Sequence, residues 1–219
     1  MDKEELIRKY NIDLEKLKKE QIDLAKDLEI KDKIDFSLAS RFGAIENLII
    51  KNKIISAMVV VDKDYEVIEE AYFVDVLRFP YIFEFRSYRE IPAMVGVFSK
   101  IREKPDLIFI KGHGITHPRL GIASHLSLSI NTPVIGIGDS LFEEDKIKGE
   151  DILIGDKVVG RVLKSKQGSK PMYISSGDKI SLETAYNFSK EMINEPHKMP
   201  EPLHIARRYA KDIKKELKL

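Results

Sequence analysis

Apolar and polar positions follow a helical period near the start of the chain and a strand-like period after it. Leucines at helical spacing predict a helix over residues 13–29, which Asp13 can cap. Three β-rich runs follow, at residues 42–50, 54–61 and 65–74. The connections between these runs are short and polar, which favours antiparallel hairpins. The first part of the chain is therefore predicted to hold a helix and a three-stranded antiparallel unit.

The second half of the chain contains short, continuously apolar runs. Residues 107–110 and 134–137 have the composition expected of central parallel strands covered on both faces. Ile122, Leu126 and Ile130 predict a crossover helix between them, and so a right-handed β-α-β unit. Further predicted elements are a helix over 90–103, strands at 152–154, 158–163 and 172–174, and two carboxy-terminal helices around 185–192 and 203–217.

This order of elements predicts an α/β fold, a ribonuclease H-like mixed sheet flanked by helices on both faces. No internal repeat or long linker divides the chain, so residues 1–219 are expected to form one domain.

Composition excludes several kinds of site. The 219 residues include no cysteine, which excludes disulfides and thiolate zinc sites. Lys and Arg total 37 against 36 acidic residues, so any nucleic-acid binding must use a local patch. The charged amino terminus is unlike a signal peptide, and no apolar run approaches the roughly 20 residues needed to span a bilayer. We therefore expect a cytoplasmic protein with no membrane partner.

The end of the predicted strand 107–110 is the strongest candidate for chemistry. The strand runs into Lys111 and then a glycine-rich turn, Gly112-His113-Gly114. Strand ends at the open edge of an α/β sheet are where such folds place their functional groups. An ammonium group at this position would repel a divalent cation rather than bind it.

Short segments spread over nearly the whole chain carry a family resemblance. They are Pro80-Tyr81-Ile82, Tyr88-Arg89-Glu90, Gly112-His113-Gly114-Ile115-Thr116-His117-Pro118-Arg119, Leu120-Gly121-Ile122-Ala123-Ser124-His125-Leu126, Pro133-Val134-Ile135-Gly136-Ile137, Gly168-Ser169-Lys170-Pro171-Met172-Tyr173-Ile174-Ser175 and Pro200-Glu201-Pro202. In this order and spacing they resemble the endonuclease V family. Its members are metal-dependent nucleases that recognise deaminated adenine, hypoxanthine, and cleave a nearby phosphodiester on its 3′ side.

The resemblance implies DNA or RNA as the partner, including strands that contain hypoxanthine. It identifies Pro80-Tyr81-Ile82 with an aromatic wedge that enters the space left by a flipped base, and it places His117 beside the scissile phosphate. The implied nucleic-acid contacts are Pro80, Tyr81, Ile82, Gly112, Gly114 and Arg119. The wedge sequence is equally typical of a loop that packs its aromatic side chains onto its own core. The glycines also suit a strand-to-helix turn with no phosphate present.

The implied metal chemistry needs three carboxylates that converge on Mg²⁺. Glu46 and Glu90 stand at two of the three family positions and are the candidate metal ligands, whereas Lys111 stands at the third. Asp139 occupies a position where the family has a lysine. One interpretation is a reversed Lys111–Asp139 salt bridge that preserves the fold after catalysis was lost. The other is that Asp139 supplies the missing carboxylate and Lys111 lies beside the phosphate. The candidate catalytic residues are Glu46, Glu90, Lys111, His117 and Asp139.

The segment after the wedge also departs from the family pattern. Glu84 stands where the family has a glycine, and Arg86 stands where it has a small or apolar residue. These changes are expected to close the base pocket and to fill its apolar space. Arg207 stands where many members have a histidine after Glu-Pro. Three classes remain open: an active nuclease rebuilt around Asp139, a silent relative that binds nucleic acid with the same cleft, and a scaffold recruited for a protein partner.

Overall fold

The computed structural model describes residues 3–143, 145–166 and 168–219. The described strands are β1 (Phe42–Ile50), β2 (Lys53–Val61), β3 (Val67–Val76), β4 (Leu107–Lys111), β5 (Val134–Gly138), β6 (Lys146–Lys148), β7 (Asp151–Ile154), β8 (Lys157–Leu163) and β9 (Met172–Ser176). They form one sheet in the order β3-β2-β1-β4-β5-β9-β8-β7-β6. The β1–β4 and β4–β5 pairs are parallel and the other pairs are antiparallel, so the predicted mixed sheet is confirmed.

The described α-helices are α1 (Lys3–Lys9), α2 (Leu14–Ala25), α3 (Arg86–Lys100), α4 (Ile122–Ile130), α5 (Leu182–Glu191) and α6 (Glu201–Glu216). Asp13 caps α2 as predicted, because its carboxylate accepts a hydrogen bond from the Lys16 amide at 3.0 Å. Helix α3 begins at Arg86, about one turn before the predicted start at residue 90. This earlier start is important because it places Arg86 and Glu90 on one helical face.

Alternate residues of the central strands point to opposite faces of the sheet, as period-2 geometry requires. Phe109 of β4 lies in a core with residues of α5 and α6, and Ile108 lies in a second core with residues of α3 and α4. Helices therefore cover both faces, which confirms the predicted layering.

The register of the parallel strands determines which side chains meet at the sheet edge. Ile45 of β1 pairs with Ile110 of β4, so the next residues, Glu46 and Lys111, lie side by side at the end of this ladder. Lys111 in turn pairs with Ile137 of β5. The carboxyl ends of β4 and β5 thus open onto the same edge of the sheet.

Two described elements have weak sequence signals and were not predicted. Helix α1 has only seven residues, and β6 has three exposed residues with Ile147 as its single apolar side chain. Such short elements lack a periodic apolar face long enough to recognise. In the described part of the chain, no helix combines the length and apolar character needed to cross a membrane.

Candidate active site

A cleft of about 190 Å³ opens beyond the carboxyl ends of β4 and β5. Its walls come from the segment before α3, the glycine-rich turn after β4, and the loop after β5. The charged and polar side chains that line it include Glu84, Arg86, Lys111, His113 and Asp139. The cleft therefore brings several sequence-predicted candidates to one place.

Glu90 is buried on α3, and neighbouring side chains already occupy both of its carboxylate oxygens. The Arg86 guanidinium donates to it in a two-pronged geometry, with Nε–Oε1 at 2.6 Å and Nη2–Oε2 at 3.0 Å. The Asn47 amide donates a third hydrogen bond at 2.9 Å. A further Arg86 nitrogen donates to the Lys111 carbonyl at 3.1 Å, which ties α3 to the end of β4. The guanidinium thus lies where a cation bound to Glu90 would otherwise sit.

Glu46 is buried on β1, at 8% exposure. Burial raises the pKa of its carboxyl. The positive charges of Lys111, Arg207 and Arg86 oppose that rise, and the negative charge of Glu90 adds to it. Two carboxylates therefore face three cationic side chains at this edge of the sheet.

The residues present do not fit a divalent cation. Mg²⁺ requires near-octahedral oxygen ligation, and its protein sites supply carboxylates that are free to coordinate. The described residues contain no group of three or more His, Asp or Glu side chains placed to hold a metal ion. Of the two candidate ligands, Glu90 is bound to Arg86 and Glu46 lies beside Lys111. A side-chain ammonium and guanidinium, rather than a metal ion, balance these carboxylates.

Sequence reasoning missed the part that Arg86 plays, although a signal was available. An Arg and a Glu four residues apart on one helix lie close enough to pair. The predicted helix started at Glu90 and so left Arg86 in a loop. With the observed start at Arg86, the i,i+4 spacing identifies the ion pair directly.

Lys111 and Asp139 do not form the salt bridge expected from their exchanged charges. The described residues contain no ion pair between them, and Asp139 lies exposed beyond the end of β5. Burial lowers the pKa of His113 to about 4, the charge of Arg86 adds to this lowering, and the charge of Asp139 opposes it. Lys111 interacts with Glu46 rather than with Asp139. Simple charge exchange therefore does not describe this pair.

His117 is buried and held as the neutral imidazole. Burial, together with the nearby charge of Arg119, lowers its pKa to about 4. Its Nδ1 accepts a hydrogen bond from the Arg119 amide at 3.1 Å. The ring meets Phe142 edge-on, with centroids 5.0 Å apart. A ring held this way is fixed in place at the cleft wall, and it is uncharged at neutral pH.

The Arg119 side chain makes its ion pair and hydrogen bonds within the protein. Its guanidinium pairs with the Glu84 carboxylate and donates from Nε to the Gln21 Oε1 at 2.8 Å. Gln21 is fully buried on α2 and donates back to the Glu84 carbonyl at 3.0 Å. Glu84, predicted to close the base pocket, is thus held at the cleft wall by this network. A nucleic-acid contact for Arg119 stays a prediction.

The two glycines of the turn after β4 are needed for close packing. Gly112 has φ +143°, and a Cβ on Gly114 would lie 1.9 Å from the Ser176 carbonyl oxygen. The Gly112 amide donates to the Ile137 carbonyl at 2.9 Å, and the Gly114 amide donates to the Ser175 hydroxyl at 2.8 Å. Both donors are used inside the protein, which explains these glycines without a phosphate.

The predicted wedge presents one exposed aromatic side chain. Pro80 and Ile82 are buried and anchor the turn, whereas Tyr81 is 56% exposed at the cleft. The Arg89 guanidinium lies 5.8 Å from the centre of the Tyr81 ring. The Tyr81 ring is therefore not packed into the core, and its open face is available for stacking.

Comparisons with known proteins place the chain in a family. The sequence model of endonuclease V matches residues 22–208. The chain belongs to the endonuclease V family. An endonuclease V of Thermosipho melanesiensis is 30% identical over 222 aligned residues, which cover 96% of this chain and 93% of that relative. An endonuclease V of Trichormus variabilis is 39% identical over 155 residues, covering 67% of this chain and 70% of its own length.

Solved endonuclease V structures share the ribonuclease H-like fold. The catalytic domain of human endonuclease V superposes with a TM-score of 0.84 at 25% identity, covering 94% of this chain and 98% of that one. An endonuclease V of Ciona intestinalis, solved with a 24mer DNA that contains an inosine followed by a ribo-adenosine, has a TM-score of 0.85 at 24% identity. It covers 93% of this chain and 98% of its own. The predicted fold and family are confirmed.

Proposed function

We propose that this endonuclease V homologue binds DNA or RNA through the cleft beyond β4 and β5, and that its cleavage activity is impaired or lost. One observation carries the proposal. Glu90, a candidate metal ligand, is already bound by the two-pronged Arg86 guanidinium and by Asn47. Phosphodiester hydrolysis by a metal needs ligands that are free to hold the ion and to orient a water molecule. A carboxylate saturated by a side-chain cation is not available for that task.

The binding half of the proposal rests on the wedge and on the relatives. Tyr81 offers an exposed ring at the mouth of the cleft, and base–aromatic stacking contributes about 1–3 kcal/mol per base. The Ciona intestinalis relative was solved with an inosine-containing DNA. Hypoxanthine-containing strands are therefore the first substrates to test. We also propose that the protein acts in the cytoplasm and that residues 1–219 form one domain.

The cleavage test uses single- and double-stranded inosine oligonucleotides in Mg²⁺ and in Mn²⁺. We expect the wild-type protein to give no more product than its Glu90→Ala variant. Turnover that the wild type shows and Glu90→Ala lacks would contradict the loss of catalysis, because it would require Glu90 to take part.

The binding test measures fluorescence anisotropy of labelled oligonucleotides over a series of salt concentrations. We expect salt-sensitive binding, because contacts to phosphates release counterions. Tyr81→Ala should weaken it about ten-fold or more, from the loss of one stacked base. Tyr10→Ala is the matched control, since Tyr10 is also an exposed tyrosine but lies outside the cleft. Absence of any salt-sensitive binding would refute the nucleic-acid function and would favour a protein-interaction scaffold.

A further inference from the structure

Three cationic side chains surround the two buried carboxylates, but they are not equivalent. Arg86 is committed to Glu90 through the paired hydrogen bonds described above. Ala44 of β1 and Phe109 of β4 share a core with Ala206 of α6. Glu46 and Lys111 each lie two residues further along their strands, so both are on the face of the sheet that α6 covers. The charges of Lys111 and of Arg207, which follows Ala206, both act on Glu46. In the described part of the chain, neither forms an ion pair or a side-chain hydrogen bond. The cluster thus carries a formal charge of +1, and the side-chain donors of Lys111 and Arg207 have no partner among the described residues.

Glu46 is the acidic group that these two cations face. Glu46 is buried as a residue, yet no hydrogen bond or ion pair to its carboxylate occurs among the described residues. A buried carboxylate normally gains hydrogen bonds that offset the cost of its burial. Here its neighbours are Lys111 and Arg207, which act on it through their charges without direct contact. The donors of Lys111 and Arg207 are therefore left for another acceptor, such as a phosphate oxygen.

We propose that Lys111 and Arg207 hold a phosphodiester of the bound strand directly, in the place where relatives of this fold would use a divalent cation. This inference rests on the proposed nucleic-acid function and specifies how the strand is held. Arg207 extends from the exposed face of α6 and Lys111 from the half-buried end of β4. Lysine and arginine are common ligands of phosphate oxygens and need no metal ion to bind them. Binding then requires no divalent cation.

The negative charge of Glu46 should weaken the binding of a phosphate at Lys111 and Arg207. Its negative charge lies beside both cations and so close to the phosphate that they hold. In a metal site the same carboxylate would assist binding, because it would hold the bridging ion. The two arrangements therefore predict opposite signs for the effect of Glu46→Gln.

The experiment measures the affinity for a labelled oligonucleotide by anisotropy in EDTA and in Mg²⁺, each over a salt series. We expect the affinity in EDTA to be at least as high as in Mg²⁺, because a divalent counterion competes with the two side chains for the phosphates. Lys111→Met and Arg207→Gln should each weaken binding about ten-fold and reduce the slope of log K against log salt by about one. Glu46→Gln, which keeps the shape of the side chain, should tighten binding several-fold.

Arg208→Gln is the matched control, because Arg208 is an exposed arginine on the same helix that does not act on Glu46. Its affinity should stay within about two-fold of the wild type. Lys111→Arg should retain binding, which separates loss of charge from loss of folding, and thermal melts should show each variant folded.

Several outcomes would overturn the inference. They are binding that requires Mg²⁺, weaker binding by Glu46→Gln, or wild-type affinity in both Lys111→Met and Arg207→Gln. Each of these leaves salt-sensitive binding by the wild type in place, and with it the proposed nucleic-acid function. If the wild type does not bind at all, the proposed function and this inference both fail.

Discussion

Replacing Arg86 by leucine tests whether the guanidinium neutralises the buried carboxylate of Glu90. The side chain of Glu90 is 4% exposed and that of Arg86 is 34% exposed. Breaking a buried ion pair by removal of one partner costs about 3–5 kcal/mol, because the other charge is left buried and uncompensated. Arg86 keeps some contact with water, so we expect Arg86→Leu to cost about 3 kcal/mol, the lower end of that range.

Removing the carboxylate instead of the guanidinium should lower the free energy of unfolding less. Glu90→Gln leaves the cation on the more exposed partner, and the glutamine oxygen can still accept a hydrogen bond from Arg86. We expect a cost of about 1 kcal/mol, typical of a weakened hydrogen bond. The double change Arg86→Leu with Glu90→Gln should be more stable than the sum of the single costs predicts, by about 2 kcal/mol of coupling energy.

The assay is equilibrium unfolding in guanidinium chloride at neutral pH, with midpoints and slopes compared across the cycle. Arg41→Leu is the control, because Arg41 pairs with Glu103 at 3.2 Å while both side chains are exposed. Such a pair contributes about 0–1 kcal/mol. A cost for Arg86→Leu that does not exceed the Arg41→Leu control, or strictly additive single costs, would refute the reasoning.

Two further predictions concern the turn after β4. The pKa of His117 lies at about 4 in the folded protein, below its ordinary 6.5, so the folded state binds fewer protons than the unfolded state between these values. The contribution of His117 to the free energy of unfolding is therefore present above pH 6.5 and is lost as pH falls toward 4. Between pH 6.5 and pH 4, the free energy of unfolding of the wild type, measured by urea titration, should fall by about 3 kcal/mol more than that of His117→Asn. The same fall in both proteins would contradict this. Gly114→Ala should lower the free energy of unfolding by at least about 3 kcal/mol, because its Cβ would lie 1.9 Å from the Ser176 carbonyl oxygen. Gly155→Ala is the control: φ is +60° there but nothing lies within 4 Å of the Cβ, so the cost should be only about 1 kcal/mol.

The sequence was sufficient to predict the central sheet because its strands have strong local signals. Strand β1 begins and ends at the predicted residues, and the two parallel strands were found from their continuous apolar runs. Pairing depends on contacts between distant residues, and the antiparallel placement of β9 beside β5 has no local signature. Family resemblance and fold were therefore accessible, whereas the full strand order was not.

The candidate site was predicted in part, and the missing part was a helix boundary. Glu46 and Lys111 directly follow the last pair of one parallel ladder, and the charge of Glu90 acts on Glu46. The role of Arg86 was missed because helix ends are the least certain feature of a sequence-based prediction. The expected Lys111–Asp139 pair failed for a related reason. Adjacent strand ends give neighbouring backbones, but the loop after β5 determines where Asp139 points.

If cations alone exclude a metal here, then removing two of them should restore metal binding. Arg86→Leu frees Glu90, and Lys111→Asp adds a third carboxylate beside Glu46. Three carboxylates at this edge of the sheet, from β1, β4 and α3, supply the hard oxygen ligands that Mn²⁺ and Mg²⁺ require. We expect the double variant to bind Mn²⁺ in titration calorimetry, while the wild type and Arg86→Leu alone show no saturable heat. A double variant that folds but binds no metal would show that geometry, not charge, excludes the ion. Metal binding by the wild type would show that Arg86 yields Glu90 to a cation, and the case for lost catalysis would then fail.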